Sequence, residues 1–138
     1  MPTPEEWSPS RLRDLSEQEC RELLHEQRIG RVCWCGPEGP TILPVTYRTS
    51  GDHVLFRTSP HSELARRFSP GPAAFEVDGF DEASRSGWSV LVRGAADVLE
   101  RDALPPPDGR PEPWAGGTRN VYVRIALDRV TGRRLLPA

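Results

Sequence analysis

The chain contains no lysine; all 18 of its cationic side chains are arginines. Every fixed cationic contact it makes is therefore a guanidinium contact. Positive charge is not in excess either. Against 20 acidic residues the net charge is −2, and the pI is about 5.9. That balance excludes a general nucleic-acid footprint, which needs a basic stripe or patch. Cysteine is scarce: Cys20, Cys33 and Cys35 form an odd set with no CxxC pair. Three thiols with no nearby pair of histidines make a poor zinc site, so no metal is expected. They read as reduced thiols of a cytoplasmic protein. His25, His53 and His61 are scattered, and nothing resembles a catalytic triad. No apolar run approaches the roughly 20 residues that span a bilayer. Met1 is followed by Pro2, Glu5 and Trp7 rather than a basic and then apolar run, so no signal peptide and no membrane partner are expected.

What is present points to one domain over residues 1–138, with no linker and no repeat. Fifteen prolines and 12 glycines favour many short elements joined by turns. Residues 1–13 read as a loose arm with Trp7 as an anchor. Ser16 and Glu19 then form a capping box, and Leu15 with Cys20 a hydrophobic staple. Cys20, Leu23, Leu24 and Gln27 share one helical face, and Gly30 reads as the end of that helix. Strands follow over 31–35, 40–49 and 53–58, separated by turns at Gly36–Gly39 and Ser50–Asp52. Two further strands are expected over 73–78 and 87–100, divided by a polar loop at 79–86. On the longer one, Trp88, Val90 and Val92 alternate with Ser89, Leu91 and Arg93, and Gly94 marks a bulge or bend. Residues 101–119 are rich in proline and glycine and read as irregular. Residues 120–127 form the last long strand, and a short strand from Val130 closes the chain. The count is six or seven antiparallel strands and two short helices. The fold class expected is mainly β, a small split barrel.

The most informative stretch is 54–64, VLFRTSPHSEL. A strand ends at Arg57, Thr58 and Ser59. Ser59 and Pro60 are a good N-cap and first helical residue. A guanidinium, two hydroxyls and free helix N–H groups converge there, which suits a phosphate. An ordinary corner with a solvated arginine uses the same residues.

Taken in order, the helix, the LPVTY strand, the FRTSPHSEL corner, the AFEVD strand and SGWSVLVRG resemble the pyridoxamine 5′-phosphate oxidase-like, FMN-binding split-barrel family. The resemblance runs from about Leu15 to Leu135 and lies closest to its short actinobacterial-type branch. It implies a homodimer with FMN in a cleft between subunits. The strand carrying Leu43, Pro44, Val45, Thr46 and Tyr47 would line the isoalloxazine ring. Arg57, Thr58 and Ser59 would contact the ring edge and phosphate. Ser62 and Glu63 match a Ser-Lys pair that grips the phosphate, so a carboxylate stands where relatives have a cation. This departure implies weaker FMN binding, and FMN tightening in Glu63→Lys. Trp88 and Ser89 match a strand pair that reaches the flavin in relatives, and Arg124 and Thr131 a C-terminal segment that touches it in some. Trp114 either covers the ring or pins its loop to the barrel.

The function implied is an FMN-dependent oxidoreductase acting on a small organic substrate, with the catalytic residues unspecified. A flavin-binding carrier or sensor without turnover, or an oxidoreductase using a deazaflavin coenzyme, are the alternatives. FMN is expected to bind better than FAD, whose adenylate would crowd the helix start.

Overall fold

The computed structural model describes residues 11–59, 71–114 and 120–138. Among these described residues eight strands are seen: β1 (Leu12–Asp14), β2 (Ile29–Gly36), β3 (Gly39–Ser50), β4 (His53–Thr58), β5 (Gly71–Asp81), β6 (Ser86–Val98), β7 (Val121–Ala126) and β8 (Arg129–Leu135). One helix, α1 (Glu17–Glu26), follows β1, and two 3-10 turns, Arg101–Ala103 and Pro107–Gly109, lie between β6 and β7. The strand order is β1-β8-β6-β5-β2-β3-β4-β7, and a further β6–β7 pairing closes β6, β5, β2, β3, β4 and β7 into a six-stranded antiparallel barrel. β8 and β1 extend the sheet outward from β6. The mainly β, antiparallel barrel expected from the sequence is the fold.

The interior is filled by alternate residues of the barrel strands: Val32, Val54, Phe56, Phe75, Val77, Val90, Val92, Val123 and Ile125 are all fully buried. Burial of these side chains is the main stabilising term, each contributing about 1.5–3 kcal/mol relative to exposure. α1 adds Cys20 and Leu24 to this core, with Leu15 and Leu23 packed against it. The helix begins where the sequence says. Ser16 Oγ accepts from the Glu19 N–H at 3.1 Å, and the Glu19 carboxylate accepts from the Ser16 N–H at 3.2 Å. Those bonds hold the Glu19 carboxyl below its ordinary value.

Several boundaries differ from the expectation. The arm is shorter than expected, because Leu12–Asp14 pairs with Leu135–Arg133 as β1. Gly30 does not end the helix; α1 stops at Glu26, and Gly30 is a buried residue of β2. Its reason for being glycine is close packing: a Cβ there would lie 2.3 Å from the Phe75 ring. Half of the polar stretch 79–86 is strand, since β5 and β6 stay in register from Gly71↔Ala96 to Asp81↔Ser86, and only residues 82–85 turn the chain. Gly94 is not a bulge, because its pairing with Ala73 is unbroken. It sits where β6 changes neighbour, from β8 up to Arg93 to β7 from Ala96. A Cβ at Gly94 would lie 1.8 Å from the Ala126 carbonyl oxygen, so glycine is required by the crossing. The second helix expected after Ser59 lies outside the described residues.

Candidate functional site

β3 carries two prolines inside a paired strand, which a central strand does not normally tolerate. The register explains them. The Tyr47 N–H donates to the Arg28 carbonyl at 2.9 Å, on the β2 side. Backbone direction alternates along a strand, so Thr46, Pro44, Ile42 and Pro40 turn theirs to the other edge. Proline at 40 and 44 therefore costs no ladder bond to β2. That other edge is open: β3 pairs with β4 only from Ser50↔His53 to Tyr47↔Phe56. Continued in register, Thr46 would face Arg57 and Val45 would face Thr58, but neither pair forms. β4 instead continues against β7 through Arg57↔Tyr122 and Thr58↔Val121.

A groove of about 390 Å³ opens where the two strands part, lined by Ile29, Leu43, Pro44, Val45, Thr46, Arg57, Thr58, Pro113 and Trp114. Apolar side chains on both faces of the sheet are wet here: Ile29, on the face of Thr46 and Pro44, is 45% exposed, and Leu43, on the face of Val45, is 41% exposed. Arg57 stands at the β4 side with its guanidinium 5.0 Å from the centroid of the Tyr122 ring. Arg110 approaches the same ring at 6.0 Å and donates to the Pro105 carbonyl at 2.8 Å. Tyr122 thus holds both the site arginine and the proline-rich segment that delivers Pro113 and Trp114. Trp114 is 76% exposed, so it does not pin that segment to the barrel.

Of the residues singled out from the sequence, Pro44, Val45, Thr46, Arg57, Thr58 and Trp114 meet in this groove. Ser59 directly follows β4, half-buried. Tyr47 falls on the inward side of β3, fully buried, its hydroxyl donating to the Leu24 carbonyl. Trp88 packs against the core from β6. Ser89 faces outward from the next position and lines a separate concavity with Arg93, Arg129, Thr131 and Arg133. Arg124 is committed to Asp97, donating through Nε at 2.8 Å and Nη2 at 3.0 Å. Within one chain, then, Tyr47, Trp88, Ser89 and Arg124 do not line the groove. Ser62 and Glu63 lie outside the described residues. Ile29 and Pro113 were missed. Reading Gly30 as a helix end hid Ile29, although its register opposite Thr46 places it at the groove.

Next to the groove, on the outer face, Arg31 lies opposite Pro44 and donates to Glu76 at 2.8 Å and Asp78 at 3.0 Å. Partial burial, followed by the neighbouring Asp78 carboxylate, pushes the Glu76 carboxyl up to about 7 despite Arg31.

The residues at the groove fit a flavin. Leu43 and Val45, which share one face of β3, suit contact with a flat ring, the Thr46 N–H and Pro44 carbonyl suit its polar edge, and Arg57 suits an anionic group. A barrel split between two strands, with an apolar groove and an arginine at the split, defines a split-barrel binding protein. The chain belongs to the pyridoxamine 5′-phosphate oxidase family, whose model matches residues 16–134. Among relatives, an uncharacterized Mycobacterium tuberculosis protein is 30% identical over 129 residues, covering 89% of this chain and 85% of that one. The FAD binding protein of Mycobacterium smegmatis shares 28% identity and a TM-score of 0.68, over 89% of this chain and 97% of that one. A Corynebacterium glutamicum structure gives a TM-score of 0.76 at 25% identity, over 95% and 98%.

Proposed function

We propose that this chain is a flavin-dependent oxidoreductase, with FMN held in the β3–β4 groove and a small organic molecule as substrate. The observation that carries the reading is the groove itself, an apolar wall with an arginine at one side and an exposed tryptophan at the other. Bound flavin supplies two-electron redox chemistry. The chain's own part is to bind, orient and dry the site. Leu43 and Val45 offer apolar contact on one side and Trp114 aromatic contact on the other. Arg57, held over Tyr122, presents its donors without first losing rotamer freedom. Family membership supports a flavin in general. FAD is the second reading, favoured by the FAD-binding Mycobacterium smegmatis relative.

The working form is a homodimer in the cytoplasm. The exposed apolar side chains beside the groove, Ile29, Ile42, Leu43 and Trp114, support a second copy closing over it. The test is titration of the purified protein with FMN, FAD and a deazaflavin, followed by flavin fluorescence and absorbance. Saturable quenching by FMN, bleaching by a reductant and re-oxidation by a small organic substrate are expected. Absence of flavin binding overturns the reading. A bound flavin inert to donors marks a carrier or sensor instead, and binding of deazaflavin alone marks the third class.

A further inference from the structure

The segment between β6 and β7 carries five prolines within residues 104–114: Pro105, Pro106, Pro107, Pro111 and Pro113. Proline has no N–H to donate, so no backbone ladder can hold such a stretch. Its fastening comes from Tyr122 on β7. The Tyr122 carbonyl accepts from the Leu99 N–H at 2.8 Å, just after β6 ends. The Tyr122 ring takes the Arg110 guanidinium at 6.0 Å. Arg110 also closes the segment on itself, donating through Nε to the Pro105 carbonyl at 2.8 Å. The next residue, Pro111, is buried. Tyr122 alternates with Val123 on β7 and so faces away from the barrel interior, yet it is only 7% exposed, with Arg110 over it.

These contacts use the shape of Arg110 rather than its charge. Among the described residues Arg21, Arg31 and Arg124 pair with carboxylates, whereas Arg110 makes no ion pair. Its partners are a neutral ring and a neutral carbonyl, and both are matched by the flat guanidinium fork. Only Pro111, Glu112 and Pro113 separate Arg110 from Trp114, and two of those three are prolines with a fixed φ. Trp114 is therefore the end of a short, stiff link that starts at Arg110. It lines the groove and is 76% exposed, so its direction is set by that link and not by its own packing.

We propose that Arg110 is a positioning residue of the groove: by holding the link on Tyr122 it sets Trp114 against the flat ring of a bound flavin. The inference rests on the flavin reading above. The Tyr122 ring also carries Arg57 at 5.0 Å, so one side chain fixes the cationic side of the groove relative to the aromatic side. Arg110 does not itself line the groove. It acts through Trp114 and not on the flavin's anionic group, and its loss should be felt equally with and without that group.

The test compares FMN with riboflavin, which share a ring but not a phosphate. Both are titrated by fluorescence into wild type, Arg110→Ala, Trp114→Phe and the double variant. Arg110→Ala should weaken both flavins by the same factor, roughly threefold to tenfold. The emission left at saturation should rise, because an indole in contact quenches the excited ring. Trp114→Phe should show both effects, and the double variant should be no worse than the more severe single change, since the two substitutions remove one contact. Arg110→Lys keeps the charge and loses the fork, so it should move both readouts in the same direction and serves if Arg110→Ala folds poorly. In the flavin-free protein, hydrogen exchange over residues 104–114 should be faster in the Arg110 variants and unchanged in the barrel strands. A loss confined to FMN overturns the inference by making Arg110 a direct anion contact. So do additive effects of Arg110→Ala and Trp114→Phe, or unchanged emission at saturation. A wild type that binds flavin no better than its Arg110 variants overturns this inference alone; a wild type that binds neither flavin overturns the flavin reading and this inference with it.

Discussion

Arg57 combines a charge at the groove with a fixed position. Its register opposite Tyr122 and the ring contact at 5.0 Å hold the guanidinium at the groove. Replacing it with alanine should remove a charge-assisted contact of about 1.5–3 kcal/mol, roughly tenfold to a hundredfold in flavin affinity. Fluorescence titration of Arg57→Ala reads this directly, and an unchanged affinity would place the anionic group elsewhere. Tyr47 is the opposite kind of residue, polar but wholly structural. Leu24 lies in the last turn of α1, whose carbonyls lack helical partners, and the Tyr47 hydroxyl satisfies one of them. Burial pushes the Tyr47 phenol well above its usual value, so it stays a donor across the working pH range. Tyr47→Phe leaves that carbonyl unpaired and should cost about 1–3 kcal/mol in chemical denaturation, with flavin affinity unchanged.

Individual elements are set by where strands part and meet. β3 leaves β4 after Tyr47 and makes the groove; β6 leaves β8 after Arg93 and closes the barrel on β7. The second crossing depends on Gly94, where any side chain would strike the Ala126 carbonyl and the neighbouring Asp128 carboxylate. That carboxylate accepts from the Ala95 N–H at 3.1 Å, which fastens the crossing. Gly94→Ala should therefore destabilise by about 3 kcal/mol, the upper range for overpacking, because backbone and not a flexible side chain stands in the way. A wild-type melting temperature in that variant would show that the crossing can open.

For the whole molecule, Glu76 links stability to pH. Its folded value of about 7 lies above the ordinary 4.5, so between those pH values the folded chain binds more protons than the unfolded one. Stability from this group is complete below about pH 4.5 and is lost as pH rises through 7. Glu76→Gln, which keeps an acceptor for Arg31, should raise the melting temperature at pH 8 more than at pH 5; equal shifts at both would show that Glu76 does not titrate in this window. Assembly is tested at the same scale. Sedimentation should report a dimer with an interface above about 1,200 Å², and a monomer at working concentrations would remove the second half of the proposed flavin cleft.

Local sequence signals decided much of this protein. The capping box at Ser16 and Glu19 starts α1 because it is complete within four residues. The alternation around Val90 and Val92 faces the core because a strand's side-chain period is two. The ordered motifs from LPVTY to SGWSVLVRG identify the family. Other features depend on partners far away in the chain. Gly30 looked like a helix end, yet it is glycine because the Phe75 ring packs against it. Tyr47 and Thr46 are neighbours, but register sends one to the core and the other to the groove. Pairing Arg93 with Arg129 requires β6 and β8 to lie side by side, although 35 residues of sequence separate Arg93 from Arg129. Propensity and capping act within a turn or two of chain, whereas register and crossings arise from contacts between distant segments; only the closed barrel could decide them.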